Sequence, residues 1–305
     1  MLARATSLFF LALAFAAPLV SAQQKLYAAS VRSAPSARGD VPIAGNLYSV
    51  NLATSTSTLV GAIRLPGGRP IGVTGLAAHP KSGVLYGITS EQSPNNPRSL
   101  VTIDPASGVA TMVGELGTAG SDIAFDLKGT LFMWLPATSQ LGIVNPSSAA
   151  VSPLGRPGPA GSPAGIAIDP QGMVFVTAKG AGGTLDNVDL ASGALQIGPA
   201  LTGAPFSTQI NSMSFSPSGL LLAVNSNGGS PAETRLVTIN TATGVVTTIG
   251  SLPDDTDALA FTGGLSANLA PTFSTLNPGA RVVVAVVSVI LVVLALMVLF
   301  RSRKK

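Results

Sequence analysis

The chain contains no cysteine and only one histidine among its 305 residues. Without cysteine there is no disulfide bond, no thiolate nucleophile and no cysteine-ligated metal. The single histidine, His79, aligns with turn positions of the repeats described below, whereas a Ser-His-Asp triad needs its histidine held beside a nucleophile. Because histidine is also the commonest general base, these absences disfavour acid–base catalysis and predict a structural role for His79.

Charged residues are also scarce, at 10% of the chain, and they are unevenly placed. Six of the seventeen Lys and Arg residues lie near the termini, as Arg4, Arg281 and four residues within 301–305. The eleven that remain in residues 23–264 are two fewer than the thirteen Asp and Glu, all of which lie in that region. This region therefore lacks the basic surface that binds phosphate backbones, and no nucleic-acid partner is predicted.

No stretch between residues 23 and 264 shows a sustained helical period, and five copies of one repeat occupy this region instead. The first halves read LYSVNLATSTSTLVG from Leu47, LVTIDPASGVATMVG from Leu100, LGIVNPSSAAVSPLG from Leu141, LDNVDLASGALQIG from Leu185 and LVTINTATGVVTTIG from Leu236. The second halves read GLAAHPKSGVLYGIT from Gly75, DIAFDLKGTLFMWL from Asp122, GIAIDPQGMVFVTA from Gly165, SMSFSPSGLLLAVN from Ser212 and a shorter ALAFTGG from Ala258. A period of roughly 45 residues with four short strands per unit predicts the blades of a β-propeller.

The fifth copy ends after Phe261, one strand short of the others. The missing strand is found at the other end of the region, where Lys25 to Ser30 repeat the Leu-Tyr pair of Leu85 and Tyr86. An N-terminal strand that completes the last blade would close the ring and remove open sheet edges. The sequence therefore predicts an all-β, five-bladed propeller closed by its N-terminal strand, with an open array or a sixth blade hidden in residues 31–46 as alternatives.

The pattern L-x-x-I-D-x-x-T-G-x-x-T-x-I-G followed by D-I-A-F-D-P-x-G-x-L-Y resembles the repeats of secreted bacterial β-propellers of the NHL and YVTN kind. The resemblance covers most of the chain and implies the blade architecture. It implies no reaction, because proteins with such repeats serve in adhesion, surface coating, protein binding and a few enzymes.

The two ends of the chain carry targeting signals. Residues 1–22 read as a secretory signal with cleavage before Gln23, the alternative being an uncleaved anchor. An apolar run from Val282 to Phe300 predicts a transmembrane helix over residues 281–300, and the basic residues 301–305 predict a cytoplasmic tail. Residues 265–280 form a stalk, and residues 23–264 form the propeller. We therefore expect a single-pass membrane protein whose propeller is extracellular or periplasmic, although a sorting protease could remove the anchor.

The candidate binding site lies at the entry to the innermost strand of each blade, where propeller residues ring one mouth of the central channel. The predicted ligand-binding residues are Thr74, Ser121, Asp122, Asn211 and Asp257. Asp122, Asn211 and Asp257 are hard oxygen donors that could hold a divalent cation, and no other cofactor is predicted. In the alternative interpretation, the same residues only cap strand ends and solvate the mouth.

Three further features receive structural interpretations. The acidic stretch from Asp254 to Asp257 is expected to be a solvated turn, since the D-x-D-x-D-G calcium loop is missing. Arg38-Gly39-Asp40 matches an adhesion tripeptide that is common by chance, and Trp134 is expected to pack between blades. The predicted function is a non-catalytic binding or scaffolding module with a protein or small-molecule ligand. The alternative is a metal-assisted extracytoplasmic hydrolase or lyase that uses the channel mouth.

Overall fold

The computed structural model describes residues 25–31, 45–159, 161, 164–178 and 180–262. Among these residues, no helix has the length and apolar character needed to span a bilayer. The predicted signal (1–22), stalk (265–280), transmembrane helix (281–300), basic tail (301–305) and adhesion tripeptide (38–40) all lie outside the described residues.

The described strands form five four-stranded antiparallel sheets, each of which is one blade. Blade 1 comprises β6 (Val73–Ala78), β7 (Leu85–Thr89), β8 (Ser99–Ile103) and β9 (Ala110–Glu115); blade 2 comprises β10 (Ile123–Phe125), β11 (Leu131–Leu135), β12 (Gln140–Val144) and β13 (Val151–Leu154). Blade 3 comprises β14 (Ile166–Ile168), β15 (Val174–Val176), β16 (Asp186–Val188) and β17 (Leu195–Gln196); blade 4 comprises β18 (Gln209–Phe215), β19 (Leu221–Ser226), β20 (Thr234–Ile239) and β21 (Val246–Leu252). Blade 5 comprises β22 (Thr256–Thr262), β1 (Lys25–Ser30), β2 (Asn46–Asn51) and β3 (Thr56–Ala62).

Two short elements of the described part of the chain lie outside the blades. A two-stranded hairpin joins β4 (Arg64–Leu65) to β5 (Arg69–Pro70) between blades 5 and 1. A single turn of 3-10 helix, Gly180–Gly182, precedes β16.

The ring is closed by the N-terminal strand, as predicted. β1 lies between β22 and β2 and pairs with both, so that Leu26 faces Phe261 on one side and Val50 on the other. The innermost strands contact one another in the order β6, β10, β14, β18, β22 and back to β6. Direct contact between β22 and β6 leaves no place in the ring for a sixth blade, and the five-bladed prediction is confirmed.

The turns between the third and fourth strands of each blade follow from their sequences. In blade 1, Asp104 Oδ1 accepts a hydrogen bond from the Ala106 N–H, and Gly108 closes the turn with a φ of 79°. A positive φ costs a side chain much more than it costs glycine, so the Asp-x-x-x-Gly spacing sets the hairpin. In blade 4, Asn240 Oδ1 accepts from the Ala242 N–H in the same way.

The hydrophobic core is divided among the interfaces between blades. Five clusters of buried side chains are present in the described residues, and each combines residues from two neighbouring blades. Trp134, which is 1% exposed, lies in the cluster between blades 2 and 3, as predicted. The His79 ring lies edge-on to Phe125 with centroids 5.0 Å apart, and its Nδ1 accepts hydrogen bonds from the backbone of Lys81 and Ser82. These contacts match the structural role predicted for His79.

Candidate functional site

Each innermost strand contributes two consecutive residues to the channel, and the two point in different directions. The outer ring contains the first residue of each pair, namely Thr74, Ser121, Ala164, Asn211 and Asp257. The inner ring contains the second residue, namely Gly75, Asp122, Gly165, Ser212 and Ala258.

β-Bulges set the direction of three outer-ring side chains. The pairing register skips Thr74 in blade 1, Asn211 in blade 4 and Asp257 in blade 5, so each is an extra residue in its strand. A bulge bends the strand and redirects a side chain away from the regular alternation. The bulges therefore turn these three polar side chains toward the mouth of the channel.

A cavity of about 390 Å³ opens at this mouth and contains four of the five predicted site residues: Thr74, Ser121, Asn211 and Asp257. The rest of its wall comes from the loops that join second to third strands and fourth to first strands. Among its lining residues are Ser90, Glu91, Gln92, Pro136, Gln209, Ser226, Ala232 and Asp255. The space is large enough for a small polar molecule or for one side chain of a partner.

The four cavity residues are connected to one another by hydrogen bonds. The Thr74 hydroxyl donates to Asp257 Oδ2 at 3.1 Å, and the Asn211 amide donates to Asp257 Oδ1. The Thr74 hydroxyl also lies 3.3 Å from the Ser121 carbonyl as a donor, and the Ser121 hydroxyl donates to the carbonyl of Ala164 at 2.9 Å. Asn211 Oδ1 is buried and has no hydrogen-bond partner in the described structure. The wall is thus a connected set of polar groups drawn from blades 1, 2, 4 and 5.

Asp122, the fifth predicted residue, does not line this cavity. It is fully buried, and its Oδ2 accepts hydrogen bonds from the backbone N–H groups of Ile166 and Met213, each at 3.0 Å. Its Oδ1 accepts from the Ser212 hydroxyl at 3.1 Å, and that hydroxyl accepts in turn from the Leu259 N–H. The carboxylate therefore connects the innermost strands of blades 2, 3, 4 and 5 at the centre of the ring.

The chemistry of an open strand edge explains this arrangement. The innermost strand of a blade has no further strand beside it, so its channel-facing N–H groups need other partners. A carboxylate has about four acceptor positions, and Asp122 uses them for Ile166, Met213, Ser212 and the Ile123 N–H. Burial raises the pKa of Asp122 well above its usual value, and these four hydrogen bonds oppose the rise.

Small neighbours give the Asp122 side chain its room. The other inner-ring residues are two glycines, one serine and one alanine. A Cβ added at Gly75 would lie 2.9 Å from Asp122 Cα, which is closer than real Cβ contacts come, and a tight 3.1 Å from Ile123 N. The small inner-ring column beside one aspartate is the sequence signal that could have revealed the role of Asp122.

The three residues of the predicted cation site do not share one location in the structure. Asp122 is separated from the cavity and its acceptor positions are filled by the chain, so the structure does not gather Asp122, Asn211 and Asp257 around one point. The described residues contain no group of three or more His, Cys, Asp or Glu side chains arranged to hold a metal. In the acidic stretch, Asp255 and Asp257 line the cavity, and Asp255 Oδ1 accepts from the Ala232 N–H at 2.9 Å.

The charged side chains that line the cavity are all acidic. They are Glu91, Asp255 and Asp257, and among the described residues no Lys or Arg belongs to the wall. Glu91 forms an ion pair with Arg98, in which both side chains are about half exposed. The two aspartates lie at the start of the innermost strand β22, so the charged side chains at the floor of the cavity are acidic.

Comparisons with known proteins add little to this description. No protein-family model matches the chain, and neither does any curated protein. Among solved structures, the chain is similar to a protein of unknown function from Bacteroides thetaiotaomicron, with 13% identity and a TM-score of 0.43 over 59% of this chain and 50% of that one. It is also similar to a chain of a nidogen/laminin complex, with 13% identity and a TM-score of 0.49, and to a protein of unknown function from Bacteroides caccae, with 15% identity and a TM-score of 0.48. Each of these two matches covers 78% of this chain and 98% of the other.

The chain thus spans half the length of the first of these structures. Identities and TM-scores this low carry no argument about ligand or activity, and the propeller assignment depends on the sheets described above.

Proposed function

We propose that the protein is a single-pass, membrane-anchored propeller, exposed outside the cytoplasm, that acts as a non-catalytic binding or scaffolding module. The anchor is the predicted helix over residues 281–300, and the predicted signal over residues 1–22 directs the propeller across the membrane. The observation that carries the binding role is the polar cavity of about 390 Å³ at the channel mouth.

Rigidity supports a binding role for this cavity. Thr74, Asn211 and Asp257 come from three different blades and already hold one another in place by hydrogen bonds. A wall that is organised before the ligand arrives loses little side-chain entropy on binding, and this raises affinity. The Asn211 Oδ1, buried without a partner in the described structure, provides an acceptor that a ligand hydroxyl or amine could satisfy.

The charge of the wall narrows the ligand class. Because the charged lining residues are Glu91, Asp255 and Asp257, an anionic ligand would meet repulsion from all three. Neutral polar molecules and cations suit the site better. We therefore propose a ligand rich in hydroxyl or amine groups, either free or presented by a partner protein.

A metal-assisted hydrolase or lyase is the second candidate. The adjacent Asn211 and Asp257 side chains favour it, because each carries an oxygen of the kind that could bind a cation, and a bound cation could activate water. The hydrogen bonds that hold Asp122 between the innermost strands favour the binding module, since they keep one of the three predicted metal ligands away from the mouth.

Thermal melting of the purified protein tests the site. The panel contains Ca²⁺, Mg²⁺, Zn²⁺, EDTA, monosaccharides and small amines, because any ligand that binds only the folded state raises the transition. A saturating ligand at about 100 times its Kd stabilises by about 2.7 kcal/mol. Asp257→Asn should remove the shift, whereas Asp169→Asn, at a turn on the opposite face, should retain it. A metal-specific shift accompanied by substrate turnover would overturn the non-catalytic assignment.

Vesicle flotation tests the anchor independently of the cavity. The full-length chain should float with reconstituted lipid vesicles, and a variant that ends at residue 264 should remain at the bottom of the gradient. Equal flotation of the two proteins, or flotation of neither, would contradict the predicted anchor.

A further inference from the structure

The innermost strands give the propeller two different faces. Each of them begins at the polar cavity and ends at the opposite mouth, where residues 79–84, 126–130, 169–173 and 216–220 turn back into the second strands of blades 1 to 4. We call this opposite side the turn face. In blade 5 the first and second strands are not joined by such a turn, because the first is the C-terminal β22 and the second is the N-terminal β1.

The centre of the turn face is apolar. A small cavity of about 60 Å³ lies there and is lined mainly by apolar side chains, including Pro80, Phe125, Leu127, Phe215, Pro217 and Phe261. It is far smaller than the cavity at the other mouth, and its described lining holds no charged residue. The two mouths therefore differ in chemistry, one polar and acidic and the other apolar.

An exposed apolar rim surrounds this centre. Val84, Met173 and Leu220 occupy the same position in three turns, directly after the turn glycine, and are 39%, 48% and 44% exposed. Single exposed apolar side chains are ordinary, but here three recur at equivalent turn positions on one face, in blades 1, 3 and 4, while blade 2 has Thr130 there. Lys81 and Lys128 project from the exposed tips of two of these turns. The combination of apolar and lysine side chains is typical of surfaces that contact lipid headgroups.

The C-terminal part of the chain leaves the propeller from this face. Thr262 pairs with Lys25 at the turn-face end of β22, an innermost strand, so the exit point lies close to the channel axis. Nineteen residues, 263–281, separate it from the apolar run that begins at Val282. A linker of that length has a root-mean-square reach of roughly 24 Å.

That reach is short for the opposite orientation. To place the polar cavity against a bilayer, the linker would have to cross three strand spacings to the rim, roughly 15 Å, and then run along a strand length of roughly 20 Å. A path of roughly 35 Å exceeds the typical reach before the linker has gained any height above the bilayer. The turn face needs no such detour.

We infer that the turn face rests on the lipid bilayer, with Val84, Met173 and Leu220 at the headgroup boundary, and that the polar cavity faces away from the membrane. This inference depends on the proposed membrane anchor and adds the orientation of the propeller on it. The cavity is then open to ligands from the surrounding space, and the membrane covers the exposed rim.

The absence of cysteine makes the orientation measurable, because any introduced cysteine is the sole labelling site. Gln171→Cys places a fluorophore on an exposed turn tip of the turn face, and Ala137→Cys places one on the exposed loop beside the polar cavity. Both full-length variants are reconstituted into vesicles of mixed neutral and anionic lipids that carry a headgroup energy acceptor. The two labels should differ in height above the bilayer by roughly one strand length, about 20 Å.

Stronger quenching of the Gln171→Cys label than of the Ala137→Cys label is the expected result. Substituting Val84, Met173 and Leu220 together by serine should reduce the difference between the two labels. The matched control is Leu59→Ser, because Leu59 is 57% exposed on the outermost strand β3 and away from the turn face. That control should leave both quenching values unchanged.

Three results would overturn the inference. Equal quenching of the two labels in protein that floats with the vesicles would show that the anchor holds but the turn face is not preferred. Self-quenching of the Gln171→Cys label that disappears at one copy per vesicle would show that a second copy covers this face. Failure of the protein to float at all would remove the anchor, and the orientation would fall with it.

Discussion

Replacing Asp122 by alanine should destabilise the propeller far more than replacing a carboxylate in an exposed turn. The Asp122 side chain is fully buried and accepts hydrogen bonds from Ile166 N and Met213 N, which belong to two different blades. Alanine removes the oxygen that accepts both bonds and leaves these N–H groups, together with that of Ile123, without their carboxylate partner inside the ring. The Ser212 hydroxyl also loses its acceptor.

The magnitude follows from the number of orphaned donors. A buried donor left without a partner costs about 1–3 kcal/mol, so the Ile166 and Met213 N–H groups cost about 2–6 kcal/mol together, and the loss at Ile123 adds to this. A folded domain of this kind has a total stability of about 5–15 kcal/mol. We therefore expect Asp122→Ala to remove a large part of the free energy of unfolding without changing the exposed surface.

Asp169 provides a matched control. Its Oδ1 also accepts two backbone hydrogen bonds, from Gln171 N at 2.9 Å and Met173 N at 2.8 Å, but in an exposed turn. Water can replace a carboxylate there, so Asp169→Ala should cost less than about 1 kcal/mol. The assay is urea unfolding followed by the fluorescence of Trp134, the only tryptophan, which is buried in blade 2.

A difference of less than about 1 kcal/mol between the two variants would refute the reasoning, because buried and exposed acceptors would then be equivalent. If Asp122→Ala does not fold, Asp122→Asn gives a second measurement. The amide keeps one acceptor oxygen, so the free energy of unfolding of Asp122→Asn should lie between those of the wild type and the alanine variant. An Asp122→Asn protein as stable as the wild type would also count against a central role for the carboxylate.

Crowding at the channel, closure of the ring and titration of the buried carboxylate can each be tested as well. Gly75→Ala should lose about 1–3 kcal/mol of unfolding free energy, since its Cβ would crowd Asp122 Cα at 2.9 Å, whereas Gly158→Ala, whose nearest neighbour is 3.5 Å away, should be neutral; urea unfolding compares them. Leu26→Ala, in the closing strand, should lower the free energy of unfolding by about 2–5 kcal/mol. Limited proteolysis should then cut the chain near the C-terminal end of β22, and a variant that resists the protease would contradict the role of β1 in closing the ring. Because burial raises the pKa of Asp122, the folded state holds that proton more tightly than the unfolded chain, so the contribution of this group to stability should fall as pH rises above about 4. Unfolding at several pH values should therefore show a smaller loss of stability with rising pH in Asp122→Asn than in the wild type.

The blade architecture could be predicted because each repeat carries its own local signals. The Asp104 to Gly108 turn and the apolar strands beside it recur at a fixed period, and turn chemistry depends on residues close in sequence. The pairing of β1 with β22 could also be predicted, because the fifth repeat lacks one strand and Lys25 to Ser30 supply its pattern. Both predictions required only the period of the repeat and the apolar pattern of its strands.

The direction of the site residues could not be predicted in the same way. Alignment placed Asp122 and Asp257 in one ring at the mouth, but Asp257 belongs to the outer ring and Asp122 to the inner ring. The side chains of the two rings point in different directions. The bulge that redirects Asp257 depends on pairing with β1, which lies at the other end of the propeller sequence. The hydrogen bonds of Asp122 likewise cross 44 and 91 residues of sequence, to Ile166 and Met213, and no local pattern encodes them.

The closing strand also determines when the molecule becomes complete. β1 is the first of the described strands to be made, but its partner β22 is the last, so β1 and β2 must wait for nearly the whole domain before the ring closes. Contacts so distant in sequence form slowly, and an unpaired strand edge is prone to aggregate in the interval. A chain that stops before Thr256 leaves β1 with an open edge, so a truncated product exposes the surface that aggregation and proteolysis act on. Only a chain that is made as far as the end of β22 can therefore close the ring and cover the edge of β1.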